Sequence, residues 1–250
     1  MADERQVMLI TGAGRGIGAA VARDGAAKGF HVVLNCSESV TAAEELAAEI
    51  RETGRRALVI AADVADEAAV VGMFATIDDH FGRIDVLVNN AGIAGAYGSL
   101  EVVTADMLAR LWAVNITGPF LCAREAAARM RTDRGGRGGS IVNISSKAAV
   151  LGGPHEWVYY AASKGAIDTM TTGLAKELAN VGVRVNGVRP GLIESDFHLH
   201  APPGRVERMA PMIPMERSGT VAEVAGAVTW LASAEASYVT GAFIDVTGGR

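Results

Sequence analysis

Residues 7–18 read VMLITGAGRGIG and decide the fold of this chain. The apolar run at 7–10 predicts a buried strand, and an alanine-rich helical pattern begins at Ile17. The glycines between them let the backbone turn tightly and approach a pyrophosphate, which would rest on the N-terminus of the helix. Because the turn joins the first strand to the first helix, it predicts a dinucleotide site rather than a flexible turn.

The same alternation of short strands and longer helices continues along the chain. Strand patterns lie at residues 7–10, 31–35, 57–61, 86–89, 140–144, 183–188 and 242–246. Helical patterns lie at residues 17–28, 41–52, 67–80 and 221–233. A longer helix begins at residue 105 and is expected to bend or break at Pro119, and another contains Tyr160 and ends at residue 179. Continuously apolar strands need cover on both faces, and strand–helix alternation gives parallel strands with right-handed crossovers. We therefore predict an α/β fold in which residues 1–250 form a single domain, a doubly wound parallel sheet of about seven strands flanked by helices.

Bulk composition narrows the class of protein. The 250 residues carry a formal net charge of −5, which argues against a nucleic-acid or membrane-surface partner. No apolar run reaches the roughly 18 residues of a membrane span, and the polar residues 1–6 predict no signal peptide. Cys36 and Cys122 are interpreted as reduced thiols, so a cytoplasmic location is expected. The five histidines show no metal-ligand spacing, so no metal is expected.

A tyrosine and a lysine four residues apart form the candidate proton-transfer unit. In VYYAASK, residues 158–164, Tyr160 and Lys164 lie on the same face of the predicted helix. A free tyrosine has a pKa of about 10, and a nearby ammonium favours the phenolate, so we expect Lys164 to lower the pKa of Tyr160. Such a pair can move a proton to or from an alcohol oxygen. Tyr159, five residues from Lys164, fits the helical geometry less well.

Further motifs accompany the glycine-rich turn and the tyrosine–lysine pair in a specific order. They are T-G-x-x-x-G-x-G at residues 11–18, Asp63-Val64, Asn89-Asn90-Ala91-Gly92, Asn115, Y-x-x-x-K at 160–164, and Pro190-Gly191. With this set the chain resembles the short-chain dehydrogenase/reductase family over nearly its whole length, in particular the 3-oxoacyl reductases and glucose dehydrogenases. The resemblance implies a Rossmann fold, a nicotinamide cofactor, hydride transfer between that cofactor and a ketone or secondary alcohol, and assembly as a homotetramer.

The resemblance also implies a catalytic set of Asn115, Ser146, Tyr160 and Lys164. Tyr160 would exchange a proton with the substrate oxygen, and Lys164 would bind the ribose of the nicotinamide. Ser146 would hydrogen-bond the substrate oxygen and stabilise developing charge. Asn115 would hold a water that links Lys164 to bulk solvent.

The catalytic serine departs from the family's spacing. A serine 13 residues before the tyrosine is usual, and Lys147 stands at that position here. Ser146 precedes Tyr160 by 14 residues and Ser145 precedes it by 15. A one-residue insertion in the loop at 151–157 favours Ser146, and Ser145 stays open as the alternative.

The predicted cofactor is NADP, with NAD less favoured. An acidic residue at the end of the second strand would repel a 2′-phosphate, but Asn35 and Ser37 are neutral there. Arg15 can offer a charge-assisted hydrogen bond to that phosphate. The predicted cofactor-binding residues are Gly12, Gly14, Arg15, Gly16, Ile17, Gly18, Asn35, Ser37, Asp63, Val64, Asn89, Ala91, Gly92, Tyr160, Lys164, Pro190, Gly191 and Ile193.

The sequence defines the substrate end less closely. A small-molecule carbonyl or alcohol is expected, and the proline- and methionine-rich connection at 194–219 is predicted to be a substrate lid. Pocket walls are predicted at 93–97 and 152–157, and His155 and Glu156 are interpreted as a solvent-facing pair. Two alternatives stay open: a non-catalytic NADP(H)-sensing protein on the same fold, and an epimerase or dehydratase that uses the same tyrosine.

Overall fold

The part of the chain that this computed structural model describes, residues 5–197 and 201–250, is built on a seven-stranded sheet. Its strands are β1 (Val7–Ile10), β2 (His31–Cys36), β3 (Ala57–Ala61), β4 (Val86–Asn89), β5 (Gly139–Ile144), β6 (Val183–Pro190) and β7 (Phe243–Val246). They lie in the order β3-β2-β1-β4-β5-β6-β7, and all neighbouring pairs are parallel. The predicted doubly wound parallel sheet is confirmed, and the predicted strands coincide with the observed ones except for small shifts at their ends.

Helices cover both faces of the sheet. They are α1 (Gly16–Ala27), α2 (Val40–Glu52), α3 (Glu67–Phe81), α4 (Ala105–Trp112), α5 (Gly118–Met130), α6 (Ala148–Leu151), α7 (Val158–Leu178), α8 (Arg205–Met209) and α9 (Val221–Ala232). Met8 and Ile10 of β1 pack with α1, α2 and α9, whereas Val7 and Leu9 pack with α3, α5 and α7. This two-sided burial explains why the strand is apolar at every position. Within the described ranges, we find no helix that is both long and apolar enough to cross a membrane.

The strand order reverses between β1 and β4, and this reversal positions the site. In open α/β sheets, ligands bind in the crevice at the carboxyl ends of the strands where such a reversal occurs. The predicted lid returns to the same edge, because Ile193 forms a bridge with Gly219 and the two ends of the segment at 194–219 are hydrogen-bonded together. Residues 198–200 of that segment lie outside the described residues.

The predicted break near Pro119 occurs as a π-helical turn. Helix α4 ends at Trp112, a π turn spans Ala113–Thr117, and α5 begins at Gly118 with Pro119 in its first turn. A proline has no backbone N–H to donate and crowds the preceding turn, so the hydrogen-bond pattern changes before it. Such turns are frequent at functional sites. The turn buries Asn115 completely.

Gly18 lets α1 pack directly against the glycine-rich turn. A Cβ atom at Gly18 would lie 2.4 Å from the carbonyl oxygen of Gly12 and 2.6 Å from Nδ2 of Asn90. Backbone atoms cannot rotate away as a flexible side chain can, so packing restricts this position to glycine. Glycine is favoured at position 12 for a different reason: the φ of Gly12 is +64°, which lies in the left-handed region that other residues rarely adopt.

We predict that Gly18→Ala lowers the free energy of unfolding by about 1–3 kcal/mol, because the added methyl group overpacks the turn. Gly72→Ala is the matched control, since Gly72 lies in α3 and a Cβ there would meet no atom within 4 Å. That control should raise the free energy of unfolding by about 0.5–1 kcal/mol. Urea denaturation measures both. A Gly18→Ala protein as stable as the wild type would contradict the packing argument.

Candidate active site

Tyr160 lies in the first turn of α7, at the carboxyl end of β5, and lines the main cavity. Its phenol is hydrogen-bonded to Ser146, the second residue after β5. Desolvation by the surrounding protein raises the pKa of Tyr160 to about 12, although the Ser146 hydrogen bond acts in the opposite direction. The phenol is therefore protonated at neutral pH. Tyr159 is turned away from the cavity, and its ring lies against Gly95.

Lys164 is buried one turn further along α7. Its Nζ donates a hydrogen bond to the carbonyl oxygen of Ile144 at 2.8 Å and lies 5.7 Å from the centroid of the Tyr160 ring. Burial lowers the pKa of Lys164 to about 8, and the nearby carboxylate of Asp168 opposes this change. The expectation that Lys164 lowers the pKa of Tyr160 is not met. Desolvation dominates, and Nζ is directed at a backbone carbonyl.

The two adjacent serines have different surroundings. The Ser145 hydroxyl is 2.6 Å from Oδ1 of Asp168 and 3.2 Å from the carbonyl oxygen of Lys164, so it is engaged with α7. The Ser146 hydroxyl contacts Tyr160 and also accepts a hydrogen bond from the backbone N–H of Ala148 at 3.1 Å. Ser146 is therefore the better placed of the two to reach a substrate oxygen beside Tyr160.

Asn115 holds the loop that follows β4. Its Oδ1 accepts from the backbone N–H of Ile93 at 2.8 Å, and its Nδ2 donates to the Ile93 carbonyl at 2.9 Å and to the Ser163 hydroxyl at 3.1 Å. A Cβ at Gly92 would touch both Asn115 Oδ1 and Lys164 Nζ, at 3.4 Å and 3.6 Å. Asn115 thus positions the loop next to Lys164, and its water-holding role stays a prediction.

A cavity of about 960 Å³ extends from the glycine-rich turn to Tyr160. It brings together most of the predicted site: Gly12, Gly14, Arg15, Gly16, Ile17, Asn35, Ser37, Asp63, Val64, Ala91, Gly92, Ser146, Tyr160, Lys164, Pro190, Gly191 and Ile193. Among the predicted residues, Gly18, Asn89 and Asn115 are not part of the lining. Gly18 and Asn115 act on the cavity indirectly, through the packing and the loop contacts described above.

The predicted contact of Asn89 with the cofactor stays a prediction, although Asn89 does not line the cavity. Its Nδ2 donates to Asn143 Oδ1 at 2.9 Å and to the Pro119 carbonyl at 3.2 Å, so its side chain joins strands and helix inside the protein. As the last residue of β4, Asn89 follows the alternation of that strand and points to one face of the sheet. Asn90, the next residue of the same motif, is not among the predicted cofactor-binding residues, yet it lines the cavity, and its Nδ2 donates to the carbonyls of Thr11 and Gly12.

At the second-strand corner, the amide of Asn35 is used by the sheet. Its Nδ2 donates to the carbonyls of Ile60 and Ala62, at 3.3 Å and 2.9 Å. Asn35 also lines the cavity, so its contact with the cofactor stays a prediction. Ser37 and Arg15 are exposed at the same end of the cavity. Arg15 makes no ion pair with any of the described residues, so its guanidinium can reach an anion there.

Asp63 is paired within the protein. Its Oδ2 accepts from Nη1 of Arg110 at 2.7 Å, and its Oδ1 accepts from the backbone N–H of Ala65 at 3.0 Å. Burial alone would raise the pKa of Asp63, but the hydrogen bonds from Ala65 and Arg110 outweigh burial and lower it. The N-cap of α3 is Asp66 rather than Asp63. Arg110 lines the cavity and was missed, because it lies 47 residues from its partner.

Aromatic rings and an ion pair close the substrate end. The Phe197 ring centroid lies 5.3 Å from that of Tyr160 and 5.4 Å from that of Trp157, and Tyr97 packs edge-on against Trp157.

The ion pair joins Arg205 to Glu156. Nε of Arg205 donates to Oε1 of Glu156 at 3.0 Å, and the two side chains are only 10% and 25% exposed, respectively. The interpretation of Glu156 as solvent-facing is therefore wrong, since Glu156 pairs with Arg205 at the start of α8. His155 is exposed, as expected.

The residues around the glycine-rich turn fit a dinucleotide. Arg15, the N-cap of α1, has extended backbone and makes no side-chain capping bond. The first N–H groups of a helix lack intrahelical partners and favour an anion. A Cβ at Gly16 would find its nearest non-neighbouring atom 4.0 Å away, on Ser195, so the turn is open toward the cavity. This donor set suits a pyrophosphate.

Comparisons with known proteins agree with the observed fold. The family model for enoyl-(acyl carrier protein) reductase matches residues 12–250. YgfF, an uncharacterized oxidoreductase of Escherichia coli (strain K12), is 50% identical over 98% of this chain and 99% of its own length. A blue fluorescent protein from a metagenomic library, solved with NADPH, has a TM-score of 0.88 and 38% identity, covering 98% of this chain and 97% of that chain.

A second solved structure is the 3-ketoacyl-(acyl-carrier-protein) reductase from Brucella melitensis, complexed with NADH. Its TM-score is 0.91 and its identity is 33%, and the match covers 98% of each chain. The chain belongs to the short-chain dehydrogenase/reductase family and is an NAD(P)-dependent oxidoreductase.

Proposed function

We propose that the protein is an NADP(H)-dependent oxidoreductase that transfers a hydride between the nicotinamide and a ketone or secondary alcohol, with Tyr160 as the proton donor and acceptor. One observation carries the proposal: a protonated phenol, hydrogen-bonded to Ser146, lines the same cavity as the glycine-rich turn. When bound, the nicotinamide supplies or accepts the hydride.

Each catalytic residue then has a distinct task at the substrate oxygen. In reduction, the Tyr160 hydroxyl donates its proton to the carbonyl oxygen, and the Ser146 hydroxyl hydrogen-bonds the same oxygen as negative charge develops there. The Lys164 ammonium contributes a favourable charge to the phenolate that remains after the proton has left, although desolvation outweighs it in setting the pKa of Tyr160. In oxidation, Tyr160 accepts the alcohol proton, and the pKa of about 12 means that this direction first requires the phenol to lose its own proton.

NADP is the proposed cofactor. Arg15 is an exposed cation at the end of the cavity beside Ser37, where a 2′-phosphate would lie if the adenosine follows the second strand. One solved relative contains NADPH and another contains NADH, so the family accommodates both. The free guanidinium of Arg15 favours NADP in this chain, although exposed Glu38 nearby would act against a phosphate.

The substrate end suits a ketone with a flat apolar substituent better than a sugar. A substrate oxygen at Tyr160 would place the neighbouring atoms against Phe197 and Trp157, whose rings form a continuous wall with Tyr97. Stacked or edge-on aromatic contacts add about 0.5–1.5 kcal/mol to the area they bury. The segment at 194–219 is proposed to be the lid, since Phe197 and Arg205 belong to it and contact the fixed wall.

We also propose a single-domain subunit that assembles as a homotetramer in the cytoplasm. Trp112 on α4 and Phe120 on α5 are 43% and 46% exposed, and such apolar side chains support a contact between subunits. The buried free thiols of Cys36 and Cys122 are in keeping with a reducing compartment.

We predict that Tyr160→Phe lowers kcat for carbonyl reduction by about 10²- to 10⁴-fold, the usual contribution of a positioned general acid. The assay is a panel of sugars, acyl ketones, aryl ketones and steroids, each followed by depletion of NADPH or NADH. Tyr159→Phe is the matched control, because the Tyr159 hydroxyl is buried without a hydrogen-bond partner among the described residues. It should keep wild-type kcat. Full activity in Tyr160→Phe would exclude the proposed role.

The Arg15→Ala variant tests the choice of cofactor. Loss of one charge-assisted hydrogen bond of about 1.5–3 kcal/mol should reduce the preference for NADPH over NADH by about 10- to 100-fold in kcat/KM. Arg23→Ala is the control, since Arg23 lies on α1 and pairs with Glu49 outside the main cavity. An unchanged preference in Arg15→Ala would assign the phosphate contact elsewhere.

The aromatic wall predicts the ranking within the panel. Aryl ketones should show higher kcat/KM than sugars, and Phe197→Ala should lower kcat/KM for aryl ketones by about tenfold while changing that for small aliphatic ketones less. The control must replace an apolar side chain outside the cavity without unfolding the protein. Phe30→Ala does not meet this condition, because Phe30 is buried in the core. Met215→Ala is suitable, since Met215 is 60% exposed and lies outside the cavity. A sugar as the best substrate would contradict this ranking.

A further inference from the structure

A largely buried carboxylate next to the catalytic pair takes no part in the reaction as described above. Asp168 lies one turn after Lys164 on α7, and its side chain is 17% exposed. Its Oδ1 accepts from the Ser145 hydroxyl at 2.6 Å, and its Oδ2 accepts from Nε of Arg189 at 3.0 Å. The carboxylate therefore joins α7 to the end of β5 on one side and to β6 on the other.

Ser145 lies between the two residues that contact the catalytic pair. The carbonyl of Ile144, just before it, accepts from Lys164 Nζ at 2.8 Å, and Ser146, just after it, is hydrogen-bonded to Tyr160. Ser145 is 2% exposed, and its backbone N–H donates to Val188 on β6 at 2.8 Å. Because the three residues are consecutive, a shift of Ser145 would displace the partners of both Lys164 and Tyr160.

The charges around this cluster come from several elements. Arg189 of β6 also lies 3.6 Å from the carboxylate of Asp245 on β7, and Lys147, after β5, pairs with Asp245 at 2.7 Å. Asp168 is thus the carboxylate nearest along α7 to Lys164, and Asp245 is the outer carboxylate of the same network. Burial lowers the pKa of Lys164, and Asp168 acts against that change.

We propose that Asp168 is a positioning residue for the reaction, which fixes the end of β5 through Ser145 and keeps the buried Lys164 in its charged form. The proposal rests on the proposed function for its kinetic consequences, because it acts through Lys164, Ser146 and Tyr160. Its two parts, a hydrogen bond and a charge, are separable by substitution.

Asp168→Asn retains an oxygen that can accept from Ser145 but removes the charge. Without that charge, the pKa of Lys164 should fall below its wild-type value of about 8. Lys164 loses its proton as pH rises through its pKa, so kcat/KM for reduction should decline at correspondingly lower pH. Well below pH 7 both proteins carry the ammonium, and their rates should converge.

Two further variants separate the contributions. Ser145→Ala removes the hydrogen bond but keeps the charge, so kcat should fall by about tenfold with an unshifted pH profile. Arg189→Gln removes the cation that neutralises Asp168, so the pKa of Lys164 should rise, opposite in sign to the change in Asp168→Asn. Asp245→Asn is the matched control, since it removes a carboxylate of the same network, and it should leave kcat and the pH profile near wild type.

The titration can be read without turnover. The chain has four lysines, Lys28, Lys147, Lys164 and Lys176, so ¹³C-labelled lysine gives few Cε signals in an NMR spectrum. The Lys164→Arg variant assigns the Lys164 signal, because that signal disappears.

If the wild type reduced no carbonyl, the proposed function would fail while the NMR titration still tested the role of Asp168. A Lys164 titration unchanged in both Asp168→Asn and Arg189→Gln, with wild-type kcat in Ser145→Ala, would overturn the proposal. Opposite shifts in the two charge variants would support it even if one of them were less stable.

Discussion

The hydrogen bonds between the ends of β1 and β4 are the contact on which both halves of the site depend. The N–H of Thr11 donates to Val88 at 3.0 Å, and its hydroxyl accepts from the N–H groups of Asn90 and Ala91 at 3.0 Å. Nδ2 of Asn90 also donates a hydrogen bond to the Thr11 carbonyl oxygen at 2.8 Å. The glycine-rich turn and the turn after β4 are thereby fixed together. The crevice opens beside them because the chain leaves the two strands in opposite directions.

Polar contacts fix helix α7 to the other half of the sheet. Nδ2 of Asn143 donates to Thr171 at 2.9 Å, while Lys164 and Asp168 contact the end of β5. Apolar packing alone tolerates small sliding movements, whereas buried hydrogen bonds have defined partners and are costly to leave unmade. Helix α7 is therefore held in one register, which places Tyr160 rather than Tyr159 opposite Ser146.

Desolvation acts on both Tyr160 and Lys164, and it acts in opposite directions on their pKa values. It raises the pKa of Tyr160 to about 12 and lowers that of Lys164 to about 8, because burial disfavours whichever form is charged. The phenol is thereby kept protonated, as its proposed role of proton donor requires. The ammonium needs a compensating negative charge, and Asp168 supplies one from the same helix. The electrostatic state of the pair thus depends on packing and on a third residue as much as on the spacing of the motif.

The sequence by itself determined the parallel sheet, the bounds of its strands, the glycine-rich turn and the Tyr160–Lys164 helix, because these follow from local periodicity and from backbone preferences of glycine and proline. It could not show that Asn89 and Asn35 would be used by the sheet, or that Asp63 would pair with Arg110. Glu156 and Arg205 likewise are separated by 49 residues and meet only once the lid segment has packed. Tertiary structure decided these pairings, because a side chain's partner depends on which elements lie against it and not on its neighbours in the chain.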